Sequence, residues 1–314
     1  MEYREFFDWG YIAKTDGDKI IIYGRNIRKV FNSDIGLILS GKGSITSNVF
    51  RNICRNRGDL FFDKIGYRVF YNDSPYSILM LRQIEKYFSK DRFKIAIEIL
   101  KAAARSKIKL LNLLDISSDV RENAVGKISD LINTLRGEFL SSLMGVEATI
   151  TKIYLEAVST IIPERYGFKG RTRRPPEDPF NAAISYGNMF LYRFINRCLL
   201  KYGFDPRISF LHQPYRYRYS LALDISEMFR QVVVDISIIP LYTSGGMVLN
   251  RDFRKEGSAV YLSKSGGRKV LRAINHRLNL NYRGRRLMDW IIDQILMLKR
   301  YLLGIDVFKP FIFE

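Results

Sequence analysis

The distribution of apolar and polar positions divides the chain in two. Over the first eighty residues, short apolar or β-branched runs alternate with turn-forming residues. Lys19–Tyr23 closes on Gly24, residues 35–40 form a second run, and 60–63 and 66–71 are further strand candidates. Residues 47–56 read as one short helix between them, and the cluster at 72–76 marks the end of the β-rich stretch. From about residue 83 the period changes. Phe93, Ala96, Ile97, Leu100, Ala103 and Ala104 recur at helical spacing, while Arg92, Lys94, Glu98, Lys101 and Arg105 take much of the other face. Further helical patterns cover about 119–135, 138–161, 179–201, 220–238 and 286–303. The pattern predicts an α+β protein, with an N-terminal mainly β domain over 1–82 and a larger all-α helical domain over 83–314.

With 314 residues, 47% hydrophobic and 26% charged, the chain can bury a core, so wholesale disorder is not expected. No run of eighteen apolar residues occurs, and Met1-Glu-Tyr-Arg-Glu-Phe-Phe-Asp8 lacks the basic-then-apolar pattern of a signal peptide. The expectation is a cytoplasmic protein with no membrane partner. Cys54 and Cys198 cannot by themselves make a disulfide framework or a Cys-rich zinc site.

Charge changes the picture more. There are 51 Lys and Arg against 32 Asp and Glu, a formal +19. Residues 1–80 carry 12 basic and 9 acidic groups, and the other 234 carry 39 and 23, so nearly all the excess (+16) lies in the helical part. Such a field favours a polyanion, most often nucleic acid. Glu164 to Pro176 holds Arg165, Lys169, Arg171, Arg173 and Arg174 among glycine and proline, which reads as a basic loop. From Arg251 to Arg286 there are eleven basic and two acidic residues, Lys264, Arg268 and Lys269 among them, with Phe253, Tyr261 and Tyr282 interleaved. Mobile basic segments with aromatics suit DNA backbones and single-stranded ends. Tyr215, Arg216, Tyr217 and Arg218 are a third such cluster; they can touch DNA or simply pack and pair with acids.

Neither a phosphate loop of the form G-x-x-x-x-G-K-[ST] nor an H-E-x-x-H zinc motif occurs, so a nucleotide motor and a zincin are not expected. Only two histidines exist. His276 sits in the basic stretch; His212 stands shortly before the acids Asp224, Glu227 and Asp235. Asp224 and Glu227 are three apart and share a helical face beside apolar neighbours. They repel unless a cation lies between them, and Arg216, Arg218 or Arg230 could equally supply one. Glu147 stands in the mainly apolar stretch Leu143 to Leu155, where an acid needs a partner such as Lys152, exposure, or an ion. One histidine with carboxylates suits Mg²⁺ or Mn²⁺, which can activate a hydroxyl or water and stabilise a displaced phosphate oxygen.

Together these residues resemble a known family. Gly145-Val-Glu147, Gly170-Arg-Thr-Arg-Arg-Pro-Pro-Glu-Asp-Pro-Phe-Asn-Ala-Ala183, Ser185-Tyr-Gly187, Gly203-Phe-Asp-Pro206, Phe210-Leu-His212, Asp224-Ile-Ser-Glu-Met-Phe-Arg230 and Val234-Asp235 follow one another as in the CRISPR-associated spacer-acquisition integrases. Ile292-Asp-Gln294, Leu303-Gly304 and Lys309-Pro-Phe311 are similar too. The resemblance implies a β domain that dimerises and an α domain carrying a metal-dependent DNA endonuclease and integrase. It implies Mg²⁺ or Mn²⁺ on Glu147, His212 and Glu227, with Asp224 as a nearby acid. The family often has Asp where Glu227 stands; Glu is one methylene longer, which leaves direct and water-mediated coordination both open, and either Asp224 or Glu227 could be the acid that touches the ion. It also implies a homodimer, DNA partners (the prespacer and the CRISPR repeat) and a small ferredoxin-like adaptation nuclease. Two rivals are a metal-dependent DNA-repair nuclease and a non-catalytic basic DNA-binding scaffold; the scaffold predicts that Glu147, His212 and Glu227 are scattered.

Overall fold

The computed structural model describes residues 3–56, 58–62, 67–68, 76–136, 139–214 and 219–314. Tyr215, Arg216, Tyr217, Arg218 and all but the last residue of the 72–76 turn lie outside them. The chain forms two compact units, Met1–Met80 with Asn196–Asp205, and Leu81–Ile195 with Pro206–Glu314. The fold is α+β, a β sheet followed by a mostly helical part.

The first unit is built on β1 (Tyr3–Asp16), β2 (Lys19–Tyr23), β3 (Arg28–Asn32), β4 (Gly36–Ile45), α1 (Ser47–Arg55), β5 (Asp59–Phe62) and β6 (Tyr67–Arg68). The sheet order is β3-β2-β1-β4-β5-β6. β1 pairs antiparallel with β2 and parallel with β4, and β4 pairs parallel with β5. Val49 and Ile53, four apart on α1, lie on a core made by Phe6, Tyr11, Ala13, Ile20, Ile22, Leu37, Leu39 and Leu60. Phe7 and Trp9, two apart and so on one face of β1, remain exposed. The sequence pattern finds β2, β4, β5 and α1 but not β1 or β3. In β1 the alternation mixes aromatic and charged residues and is broken at Gly10, whose φ of 91° accompanies a register shift against β4.

The second unit gathers around α3 (Asp91–Leu113), which follows α2 (Tyr76–Phe88). Ile95, Ala96, Ile99, Leu100, Ala102, Ala103, Ala104, Leu110 and Leu111 of α3 are buried. Each large one contributes about 1.5–3 kcal/mol of burial. On α3 pack α4 (Ser118–Thr134), α5 (Leu140–Ser159) and α7 (Ser220–Glu227). α6 (Pro179–Lys201) begins in this unit and its last turns belong to the first. Gly187 lets it come close to its neighbours. A Cβ there would fall 2.8 Å from Val234 Cγ1 and 2.9 Å from Ile274 Cδ1.

Two expectations are corrected. The helical pattern at 220–238 is not one helix: α7 ends at Glu227, a π turn spans Arg230–Asp235, and α8 covers Ile236–Thr243. Val232, Val233 and Val234 are fully buried, so the pattern has no polar side from which a change of period could be seen. The basic run 251–286 is folded rather than mobile. It contains α9 (Leu249–Asp252), the hairpin β7 (Phe253–Glu256) and β8 (Ala259–Leu262), α10 (Lys264–Asn279), β9 (Asn281–Tyr282) and β10 (Arg285–Arg286), leading into α11 (Leu287–Leu302). Val270, Ile274 and Leu278 recur every four residues and bury one face of α10 beneath the charges. Among the described residues, no helix is long and apolar enough to cross a membrane.

Candidate functional site

The turn before α7 is held by a single carboxylate. Asp224 is fully buried, and its Oδ2 accepts the backbone N–H groups of Phe210 and Leu211 at 2.7 and 2.9 Å. Its Oδ1 accepts the N–H of His212 at 3.0 Å and lies 2.8 Å from His212 Nδ1. Arg92 on α3 secures the same turn from its other side, donating to the Phe210 carbonyl at 2.9 Å. An Asp224 that accepts from Nδ1–H fixes the tautomer, so the Nε2 lone pair of His212 is left for a ligand. With both oxygens engaged by four donors, Asp224 positions His212 and is not itself open to an ion.

One turn further on, Glu227 is equally deep but differently furnished. Its Oε1 meets Arg230 Nη1 at 2.7 Å, and its Oε2 is buried without a partner. The Arg230 guanidinium lies 5.2 Å from the centre of the Tyr192 ring. Burial works against its charge, but Glu227, Tyr192, Glu147 and Asp235 together outweigh burial and raise its pKa. It is therefore a permanent cation paired with Glu227 and within electrostatic range of Glu147 and Asp235.

Glu147 projects from α5 and accepts from Thr151 Oγ1 at 2.8 Å, one turn along the same helix. Lys152, a partner the sequence offers, instead faces Glu156 at 3.9 Å. Burial pushes the Glu147 carboxyl up. Lys107, the Thr151 hydroxyl, Arg230 and Arg173 outweigh it and hold the group below the ordinary glutamate value. Asp235, on the π turn, accepts from the Tyr154 hydroxyl at 2.9 Å, and burial pushes its carboxyl up. Lys107 was missed in the sequence. It is a lysine among the buried alanines and leucines of α3, and that misplacement is a readable signal.

His212 is bound to Asp224 of α7, and Glu227 ends the same helix. Arg230 pairs with Glu227 and lies within electrostatic range of Glu147. Among the described residues, however, no three His, Cys, Asp or Glu side chains are grouped so as to hold a metal ion. The donors still fit one chemically. A freed imidazole nitrogen, an ionised half-buried carboxylate and a buried carboxylate oxygen without a partner are what a divalent cation satisfies.

The basic residues fall into two kinds. Arg165, Lys169, Arg173 and Arg174 are exposed on the loop after α5, and Lys264 and Arg268 are exposed on the first turns of α10. Arg171 is half-buried. It donates to Asn181 Oδ1 at 2.7 Å and Ser185 Oγ at 2.9 Å, clamping the loop to α6, and burial lowers its pKa to about 10. Lys269 donates to Asp252 Oδ2 and to the Gly246 carbonyl, each at 2.6 Å, and so is engaged within the fold. Arg216 and Arg218 lie outside the described residues.

The buried Asp224 and Glu227 and their neighbour His212, on a helical unit that also carries exposed arginines and lysines, define a basic protein suited to meet a polyanion. The model of the family described as CRISPR associated protein Cas1 matches residues 10–276. The chain belongs to the Cas1 family. A CRISPR-associated endonuclease Cas1 of Thermodesulfovibrio yellowstonii is 24% identical over 96% of this chain and 93% of its own length. A Cas1 protein from Thermotoga maritima superimposes with a TM-score of 0.78 at 24% identity, covering 98% of this chain and 99% of that one. A casposase bound to integration product gives 0.76 at 23% identity, covering 100% and 95%. These likenesses of structure establish a common fold.

Proposed function

We propose that the chain is a divalent-metal-dependent DNA endonuclease and integrase that inserts captured DNA into a CRISPR array. The coarser part of this reading, an endonuclease and integrase role in CRISPR adaptation, goes with the family. The single observation supporting the finer part is the His212–Asp224 pair, which leaves an imidazole nitrogen free, on the helix where Glu227 keeps a buried oxygen without a partner. In this reading Glu147, His212 and Glu227 hold Mg²⁺ or Mn²⁺. Such an ion, when bound, supplies Lewis-acid activation of a hydroxyl and charge stabilisation at phosphate.

The protein's own groups do the rest. Asp224 keeps His212 in the tautomer that leaves Nε2 free. Glu147 stays ionised through its cationic neighbours. Arg165, Lys169, Arg173, Arg174, Lys264 and Arg268 hold DNA backbones by charge. Arg171 shapes the loop that carries four of them, and Lys269 braces the start of α10. The exposed Phe7 and Trp9 support a homodimer formed through the β domain. A small ferredoxin-like adaptation nuclease is the expected protein partner, and prespacer and repeat DNA are the substrates.

The test is strand transfer of a short duplex with 3′-hydroxyl ends into a repeat-bearing plasmid, with Mn²⁺, Mg²⁺ or chelator. Joining that needs the ion, and that His212→Ala and Glu147→Gln abolish while DNA binding persists, is the expected result. Ion-independent binding without joining or cleavage would instead favour the scaffold.

A further inference from the structure

Four features of the Glu227–Arg230 pair stand apart from an ordinary structural ion pair. Both side chains are almost fully buried, at 3% and 14% side-chain exposure. They meet end-on, through one nitrogen and one oxygen, although a guanidinium and a carboxylate can pair through two parallel bonds. Each consequently keeps a buried polar atom with no partner, Arg230 Nε and Glu227 Oε2. The guanidinium also has a second support, the face of Tyr192. A pair evolved only for stability would close both gaps, because a buried polar atom without a partner costs about 1–3 kcal/mol.

We infer that Arg230 is a resident counter-ion that occupies the carboxylate site in place of the metal, so that uptake of a divalent cation is an exchange in which the guanidinium gives up Glu227. This deepens the metal-dependent reading above and rests on it. While Arg230 holds Oε1, Glu227 is neutralised and offers one oxygen. Once released, the guanidinium keeps the Tyr192 ring and the charges of Glu147 and Asp235. Lys107 also bears on Glu147 and Asp235, so these two acids keep a second cation when Arg230 moves. Arg230 here is a positioning residue: it acts through Glu227.

The exchange has a consequence opposite to that of a structural arginine. Removing Arg230 leaves Glu227 uncompensated, which weakens the ion-free fold but raises affinity for an added cation. Mn²⁺ binding is measured by electron paramagnetic resonance on wild type, Arg230→Met and Arg230→Gln, with thermal unfolding at increasing Mn²⁺. The glutamine variant retains a hydrogen-bond donor if the methionine variant does not fold. The expected result is an Mn²⁺ Kd about tenfold tighter in the neutral variants, with a lower melting temperature without ion and a larger rise on adding it. Arg230→Lys should stay near wild type. Wild-type binding that is unchanged or weakened in folded neutral variants overturns the exchange and leaves the metal reading standing. No Mn²⁺ binding by wild type or variants overturns both.

Discussion

Asp224 and Glu227 sit three residues apart on one helix, equally hidden from water, yet they are finished differently. Every oxygen of Asp224 has a donor, three of the four being backbone amides that cannot turn away. Glu227 has one partner, itself a side chain, and one vacant oxygen. Burial alone therefore says little about what a carboxylate is for. The completeness of its hydrogen bonding separates an acid that holds the fold from one that can change partners.

The sharpest test is to remove each. Asp224→Ala strands four donors, and urea unfolding should show a loss of about 3–5 kcal/mol. Asp252 is a second acid of the saturated kind, and it extends the test. It accepts from Lys269 at 2.6 Å, Ser265 at 2.7 Å and the Val248 N–H at 2.8 Å, so Lys269→Met should cost about 2–3 kcal/mol. Burial pushes the Asp252 carboxyl up, but Lys269, Val248, Ser265 and Arg251 outweigh it and hold it well below the usual aspartate value. Its folded pKa being depressed, its stabilisation is complete above the ordinary value of 3.8 and is lost as pH falls through the folded pKa. Melting temperatures between pH 5 and pH 2 (about one unit above to two below that ordinary value) should fall less steeply in Asp252→Asn.

Glu227→Gln should cost about 2 kcal/mol, because the amide oxygen still accepts from Arg230 and Glu147 and the Tyr192 ring still support the guanidinium. A cost matching that of Asp224→Ala would erase the contrast. The smallest stability effect belongs to the exposed loop. Arg173→Ala with Arg174→Ala should change unfolding by less than about 0.5 kcal/mol, while lowering the salt dependence of DNA binding by up to about two charges.

The sequence made the period change near residue 83 legible, because α3 repeats its small and aliphatic residues over six turns. It also showed the strands whose apolar runs are unbroken, such as β2. It identified His212, Asp224 and Glu227 as a group, but not their division of labour. That division depends on the amides of 210–212 meeting a side chain twelve or more residues later. The basic loop illustrates the same limit. Arg171, Arg173 and Arg174 are alike in composition, and only the packing of Asn181 and Ser185 turns the first inward. The π turn was hidden because a wholly buried segment shows no periodic face. The folding of 251–286 was obscured by its charge, although the spacing of Val270, Ile274 and Leu278 was present in the text.

That π turn bears on how the chain can change over generations. Each residue of an α-helix advances the next by about 100°, so one codon lost between Arg230 and Asp235 could restore a regular spiral. It would also swing α8 by more than a quarter turn relative to Glu227, and carry away Val232, whose carbonyl takes Arg277 Nε at 2.9 Å, or a neighbour of it. Point replacements among the three valines should be accepted far more readily than any single-residue deletion. The stretch is thus tolerant in spelling and strict in length.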